Sequence, residues 1–197
     1  MIAGGPVASD VRTWHMRLLK SASVASTIGI LYPRMISLHN MPEQAGIVDE
    51  RGRVILPPAI RVSYARMEPH GAYLLENGEI AILWLGQSVN PQFLQDLYGV
   101  ESLEELDTRM SSLPALPTRL SERVRLILRQ FEKSRGKSSL LPVLIARQGV
   151  DGTEVEFGNM LIEDANNEQF SYVDSLCAVH QQIQSELRQC FTSRVDC

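Results

Sequence analysis

Few side chains in this 197-residue chain stand at spacings that support chemistry. The three cysteines, Cys177, Cys190 and Cys197, form no Cys-x-x-Cys pair and have no paired histidines beside them. A tetrahedral zinc site needs four close ligands, so no metal or other cofactor is expected, and in a reducing compartment these residues are free thiols. The four histidines, His15, His39, His70 and His180, are scattered, and none has neighbours that suggest a metal or a nucleophile. Neither Gly-x-Ser-x-Gly nor His-Glu-x-x-His occurs. Gly136-Lys137-Ser138 ends like a phosphate-binding loop, but Phe131 stands where that loop has its first glycine, and the tripeptide trails a helix instead of opening one. Asp151-Gly152-Thr153-Glu154 lacks the alternating oxygen ligands of a calcium loop and reads as a turn. Glu163-Asp164 with Glu168, and Glu101 with Glu104-Glu105, could pair for acid–base work, yet both read as exposed acidic turns with nothing to raise a pKa. No enzyme is expected.

What remains is a charge pattern. Arg119, Arg123, Arg125, Arg129, Lys133, Arg135 and Lys137 gather on or just past one helix, against only Glu122 and Glu132. The ordinary reading is a solvated face. The functional reading is a basic patch, built chiefly on Arg119, Arg123, Arg125, Arg129 and Lys133, that meets an acidic partner or an anionic membrane surface. Over the whole chain 19 Lys and Arg face 23 Asp and Glu, a net charge of −4. A protein relying on nucleic-acid phosphates would be basic, so no nucleic-acid partner is expected.

The elements that must carry this patch are legible. With 44% apolar and 21% charged residues the chain can bury a real core. The start shows no secretory signal, and the apolar stretch from Ala22 to Tyr32 is far short of the roughly 18 residues a membrane span needs, so a cytoplasmic protein is expected. Val11, Trp14, Leu18 and Ala22 follow Ser9-Asp10 at helical spacing; a second helix over Val24 to Leu31 must end at Tyr32-Pro33. Residues 40–58, with Met41-Pro42, Gly46, Asp49-Glu50-Arg51-Gly52 and Pro57-Pro58, read as a linker. Asn77-Gly78 between two apolar runs predicts a two-residue hairpin turn with both residues at positive φ. The second run, through Leu85, is apolar on both faces and predicts a central strand covered on two sides. Asn90-Pro91 opens a helix that Gly99 stops. The longest helix predicted covers Thr118 to Ser134, Leu140 to Ala146 is the next strand, and Val155 to Ile162 reads as a short helix entering a strand, a choice that periodicity alone does not decide. The last helix spans Ser171 to Gln189, with Tyr172, Leu176, Val179, Ile183 and Leu187 expected to face inward. The order predicts an α/β (α+β) fold with a small mixed central sheet flanked by helices and preceded by a short helical segment. The expected division is 1–39 for a helical end plus one strand, 40–58 for the linker, 59–190 for the main domain and 191–197 for a tail.

Specific residues resemble a known family. Tyr73-Leu74-Leu75-Glu76-Asn77-Gly78, then Leu83-Trp84-Leu85-Gly86, then a helix ending Leu97-Tyr98-Gly99, look like a gelsolin-like domain. Leu161-Ile162-Glu163-Asp164, followed by Ser171-Tyr172-Val173-Asp174-Ser175-Leu176, resembles the C-terminal end of the cargo-adaptor subunit of the COPII inner coat. Leu31-Tyr32-Pro33-Arg34-Met35-Ile36 is similar to the end of that family's helical domain. The resemblance, over roughly 11–187, implies a non-enzymatic role in endoplasmic reticulum-to-Golgi transport. That role is cargo selection and coat assembly, in the cytoplasm and peripherally on endoplasmic reticulum membrane and COPII vesicles. It implies a sister coat subunit and cargo proteins as partners. The family's zinc ribbon and trunk have no counterpart here, which implies a C-terminal fragment. The other reading is an actin-binding gelsolin/villin-type module. The apolar Val11–Leu31 segment is expected to be sticky, so that deleting 1–40 should improve solubility.

Overall fold

The computed structural model describes residues 9–135, 141–165 and 171–192. Two helices come first: α1, Ser9–Ser21, and α2, Val24–Leu31. Ser23 caps α2 by accepting the Ser26 N–H, and the chain leaves the helix at Tyr32, before Pro33. Five strands follow: β1 (Arg34–Ser37), β2 (Ala59–Ile60), β3 (Ala72–Glu76), β4 (Ala81–Leu85) and β5 (Val143–Arg147). Their order in the sheet is β2-β1-β3-β4-β5, antiparallel throughout except for the β4–β5 pair. The sheet is therefore mixed, as the sequence predicts. Its four remaining helices are α3 (Pro91–Tyr98), α4 (Arg119–Arg135), α5 (Thr153–Met160) and α6 (Tyr172–Thr192).

The side-chain alternation of the strands sorts two cores. Ile36, Leu74, Leu83 and Ile145 point to a face covered by Phe93, Leu94 and Leu97 of α3 and Val124, Ile127 and Phe131 of α4. Met35, Tyr73, Leu75, Ile82, Trp84 and Ala146 point to the other, where Phe157 and Met160 of α5 and Leu161 lie. All five residues of β4 are buried, which explains its unbroken apolar run: a strand covered on both faces has no solvent side to make polar. Asn90 caps α3 by accepting the Gln92 N–H, Pro91 occupies its first turn, and Gly99 ends it at φ 76°.

Three expectations change. The hairpin turn is shifted by one residue: the Asn77 N–H donates to the Ile80 carbonyl at 3.2 Å, so Gly78 and Glu79 are the central pair, with Gly78 at φ 82°. Asn77 instead uses its side chain, whose Oδ1 accepts from the Glu79 and Ile80 N–H groups at 2.9 and 3.0 Å. Second, β1 lies inside the sheet between β2 and β3, so the sheet runs across the expected boundary and residues 40–58 join two of its strands. That segment makes an isolated antiparallel bridge, Val48 to Val54, and buries Ala45. Third, the stripe of α6 expected to face inward is open to solvent: Leu176, Val179, Ile183 and Leu187 are each exposed by half or slightly more.

Candidate interaction surfaces

The basic face of α4 is arranged on the side away from Val124, Ile127 and Phe131, but its members are not equivalent. Arg123 is committed to the fold. Its Nε donates to the Ala45 carbonyl at 2.6 Å, and its terminal nitrogen donates to the Glu43 carbonyl at 3.1 Å and to that of Pro42. Partial burial, with the neighbouring Arg119 charge, lowers its pKa. Gly46, at φ 71°, passes so close to Arg123 that a Cβ there would collide with it. Arg125 is half-buried and reaches back to the Ser121 carbonyl at 3.4 Å, while Arg119, Arg129 and Lys133 are exposed. Of the five, Arg119, Arg129 and Lys133 are thus exposed, Arg125 is partly so, and Arg123 is held by the fold. The Arg135 side chain, Lys137 and the rest of the Gly136–Ser138 tripeptide lie outside the described residues, as do Glu168 and Cys197.

The carboxylates read from sequence as an exposed acidic turn form a clasp instead. The Glu163 side chain is only 6% exposed. Its Oε1 accepts from the Tyr32 hydroxyl at 2.6 Å and its Oε2 from Arg61 Nε at 2.5 Å. Burial pushes the Glu163 carboxyl up, but the hydrogen bonds from Tyr32 and Arg61 outweigh it and hold the pKa below the ordinary value. Asp164 accepts from Ser63 Oγ at 2.5 Å and from the Tyr64 N–H at 2.7 Å, capping the short 3-10 turn Tyr64–Arg66. Both carboxylates therefore tie the chain leaving α5 to α2 and to the segment after β2. Sequence gave no sign of this, because the partners lie some hundred residues away.

Asp151, the calcium-loop look-alike, is occupied too. Arg147 donates Nε to Oδ2 at 2.9 Å and a terminal nitrogen to Oδ1 at 2.7 Å, a bidentate pair that holds the Asp151 pKa down. Glu101, Glu104 and Glu105 remain exposed. One grouping that spacing could not reveal is His39, Glu68 and His70, which the fold brings together.

Among the described residues, apolar side chains also stand open to solvent on three helices. On α6, Tyr172, Leu176, Val179, Ile183 and Leu187 follow one another at spacings of three and four and are 46–53% exposed. On α1 and α2, Trp14, Met16, Val24, Ile28 and Leu31 are exposed as well. Tyr32 and Tyr172 meet edge to face at 5.6 Å, so the two helical regions border each other. Monomeric proteins rarely leave this much apolar side chain in a row. No helix among the described residues is long and apolar enough to cross a membrane.

Comparison with known proteins agrees with this geometry. A gelsolin repeat family model matches residues 53–128. Protein transport protein SEC24 of Neosartorya fischeri is 31% identical over 183 residues, covering 90% of this chain and 20% of that protein. SEC24 of Pyricularia oryzae is 34% identical over 172 residues, covering 84% of this chain and 18% of that protein. The crystal structure of the human COPII-coat protein Sec24c superposes with a TM-score of 0.76 at 33% identity, over 93% of this chain and 24% of that one. Over nine tenths of its length this chain is similar to Sec24 proteins. It spans about a fifth of the length of the curated Sec24 relatives it matches. The Sec24 likeness is wider than the gelsolin match and takes in elements on both sides of it.

Proposed function

We propose that this chain is a non-catalytic docking module that contributes to a COPII-type coat in endoplasmic reticulum-to-Golgi transport. It acts by protein–protein contacts in cargo selection and coat assembly. The observation that carries the reading is the Sec24 likeness over 90% of the chain. The surfaces support it. The α6 stripe and the α1–α2 apolar residues suit association with further coat elements, including the sister subunit. Arg119, Arg125, Arg129 and Lys133 suit an acidic partner or the anionic face of the membrane, which makes the attachment peripheral. The carboxylates with buried or paired oxygens, Glu163, Asp164 and Asp151, are spent on structure, which leaves them no acid–base role. An actin-binding gelsolin/villin-type role is not favoured, because the gelsolin match stops at residue 128 while the Sec24 likeness continues.

The test is co-sedimentation of the full chain with COPII coat reconstituted on acidic liposomes, beside actin filaments with and without calcium. The chain should pellet with the coat, and the double variant Leu176→Asp/Ile183→Asp should remain in solution while still folded. Pelleting with actin in calcium, and none with the coat, would overturn the reading.

A further inference from the structure

Three side chains of metal-ligating type meet at one end of the sheet. His39 follows β1, and Glu68 and His70 lie on the turn entering β3. His70 Nε2 is 3.0 Å and His39 Nε2 3.7 Å from the same carboxylate oxygen, Glu68 Oε2. One ligand atom from each residue lies within 4.8 Å of the other two. Zinc held tetrahedrally at about 2.0–2.1 Å by nitrogen and oxygen keeps its ligands roughly 3.3 Å apart. The two separations from Glu68 bracket that spacing. The imidazole rings stand edge to face at 5.7 Å and 87°, converging instead of stacking.

The support of these ligands is also built. The His39 side chain is 17% exposed, and its Nδ1 accepts the Ala72 N–H at 3.0 Å. The same nitrogen lies 3.3 Å from the Ala72 carbonyl and 3.1 Å from Ser37 Oγ. A donor and two acceptors therefore face one atom. If Nε2 gives its lone pair to a metal, the proton moves to Nδ1, where the Ala72 carbonyl or Ser37 Oγ accepts it and the Ala72 N–H gives up its hydrogen bond to the ring. The turn carrying the other two ligands is pinned from both sides. Tyr73 Oη accepts the Glu68 N–H at 3.0 Å, Gly71 N–H donates to the Glu68 carbonyl at 2.8 Å, and Ser88 N–H donates to the Pro69 carbonyl at 2.8 Å. Gly86 packs so tightly on that carbonyl that any Cβ would overlap it.

We propose that His39, Glu68 and His70 bind one borderline divalent ion of the zinc class, a His2Glu set with its fourth position open to water, which cross-links the end of β1 to the entrance of β3. Two imidazoles and a carboxylate select zinc, nickel or copper over calcium and magnesium, which take all-oxygen shells. The inference is independent of the coat reading. It also departs from the expectation that this chain holds no metal, because the ligands are distant in sequence and only the sheet unites them.

The test uses the untagged full chain with Cys177, Cys190 and Cys197 changed to Ser, so that thiolates do not compete. Titrated with cobalt(II), it should show visible d–d bands that saturate at one ion per chain and vanish on adding one equivalent of zinc. Zinc, and not calcium, should raise Tm. His70→Ala and Glu68→Gln, at side chains that are mostly exposed and leave the fold intact by circular dichroism, should each weaken binding by at least the roughly 10–100-fold seen for outer-shell partners. No cobalt bands, or bands that persist unchanged in both variants, would overturn the site.

Discussion

Glu163 is the residue on which three segments close. Its carboxylate joins Tyr32, at the end of α2, to Arg61, just past β2, from the chain between α5 and α6. Its folded-state pKa lies below the ordinary 4.5, so its contribution to stability is complete above that value and is lost as the pH falls through the lowered one. Tyr32 runs the opposite way. The hydrogen bond to Glu163, and then burial, raise it from 10.0 to about 12, so its contribution is complete below pH 10 and is lost between 10 and about 12. In thermal melts across pH, Glu163→Gln should flatten the acid limb and Tyr32→Phe the alkaline limb; wild-type curves in both variants would contradict the clasp. The arginines of α4 divide in the same way. Arg123→Ala frees three carbonyl contacts and should cost about 1.5–3 kcal/mol by denaturant titration. Arg129→Ala, at an exposed side chain, should stay within about 0.5 kcal/mol. Sequence spacing placed both arginines on one basic face and had no means to separate them, since only the packing of residues 42–46 against the helix does so.

At the scale of elements, what the chain wrote locally was legible and what it wrote at long range was not. Asn90, Pro91 and Gly99 bounded α3 because capping and left-handed backbone are local chemistry. The unbroken apolar run of β4 announced a strand covered on both faces. The hairpin slipped by one residue because the Asn77 side chain accepts the Glu79 and Ile80 N–H groups while its backbone N–H pairs with the Ile80 carbonyl. Residues 40–58 look like a linker by composition, yet β1 ahead of them pairs with β3 over four residues and buries Met35 and Ile36 completely. Deleting 1–40 therefore removes an interior strand, and it should yield an unfolded or aggregated product instead of the better-behaved remainder the sequence suggests. Deleting only 1–21, which takes away α1, should leave the cooperative melt in place. The far-ultraviolet spectrum and melting curve of the two truncations distinguish these outcomes.

As a whole molecule the chain separates a closed apolar interior from an uncovered apolar exterior. The sheet and its two cores are closed by α3, α4 and α5. The apolar periodicity of α6 was readable, but its direction was not: a helix with one apolar face specifies that the face be covered, not by which element. Half-exposed Leu176, Val179, Ile183 and Leu187 answer that nothing among the described residues covers it. The same holds for Trp14, Val24 and Ile28 on α1 and α2, while Trp84 is buried with its Nε1 donating to Glu154 at 3.1 Å. This division of surfaces predicts docking through the helical exterior, with the sheet as a rigid carrier. Hydrogen exchange of the full chain, alone and with the sister coat subunit, tests it most directly. Protection should rise along α1, α2 and α6 and stay unchanged in β3 and β4; unaltered exchange in all three helices, or protection gained only at the 77–80 hairpin, would contradict it.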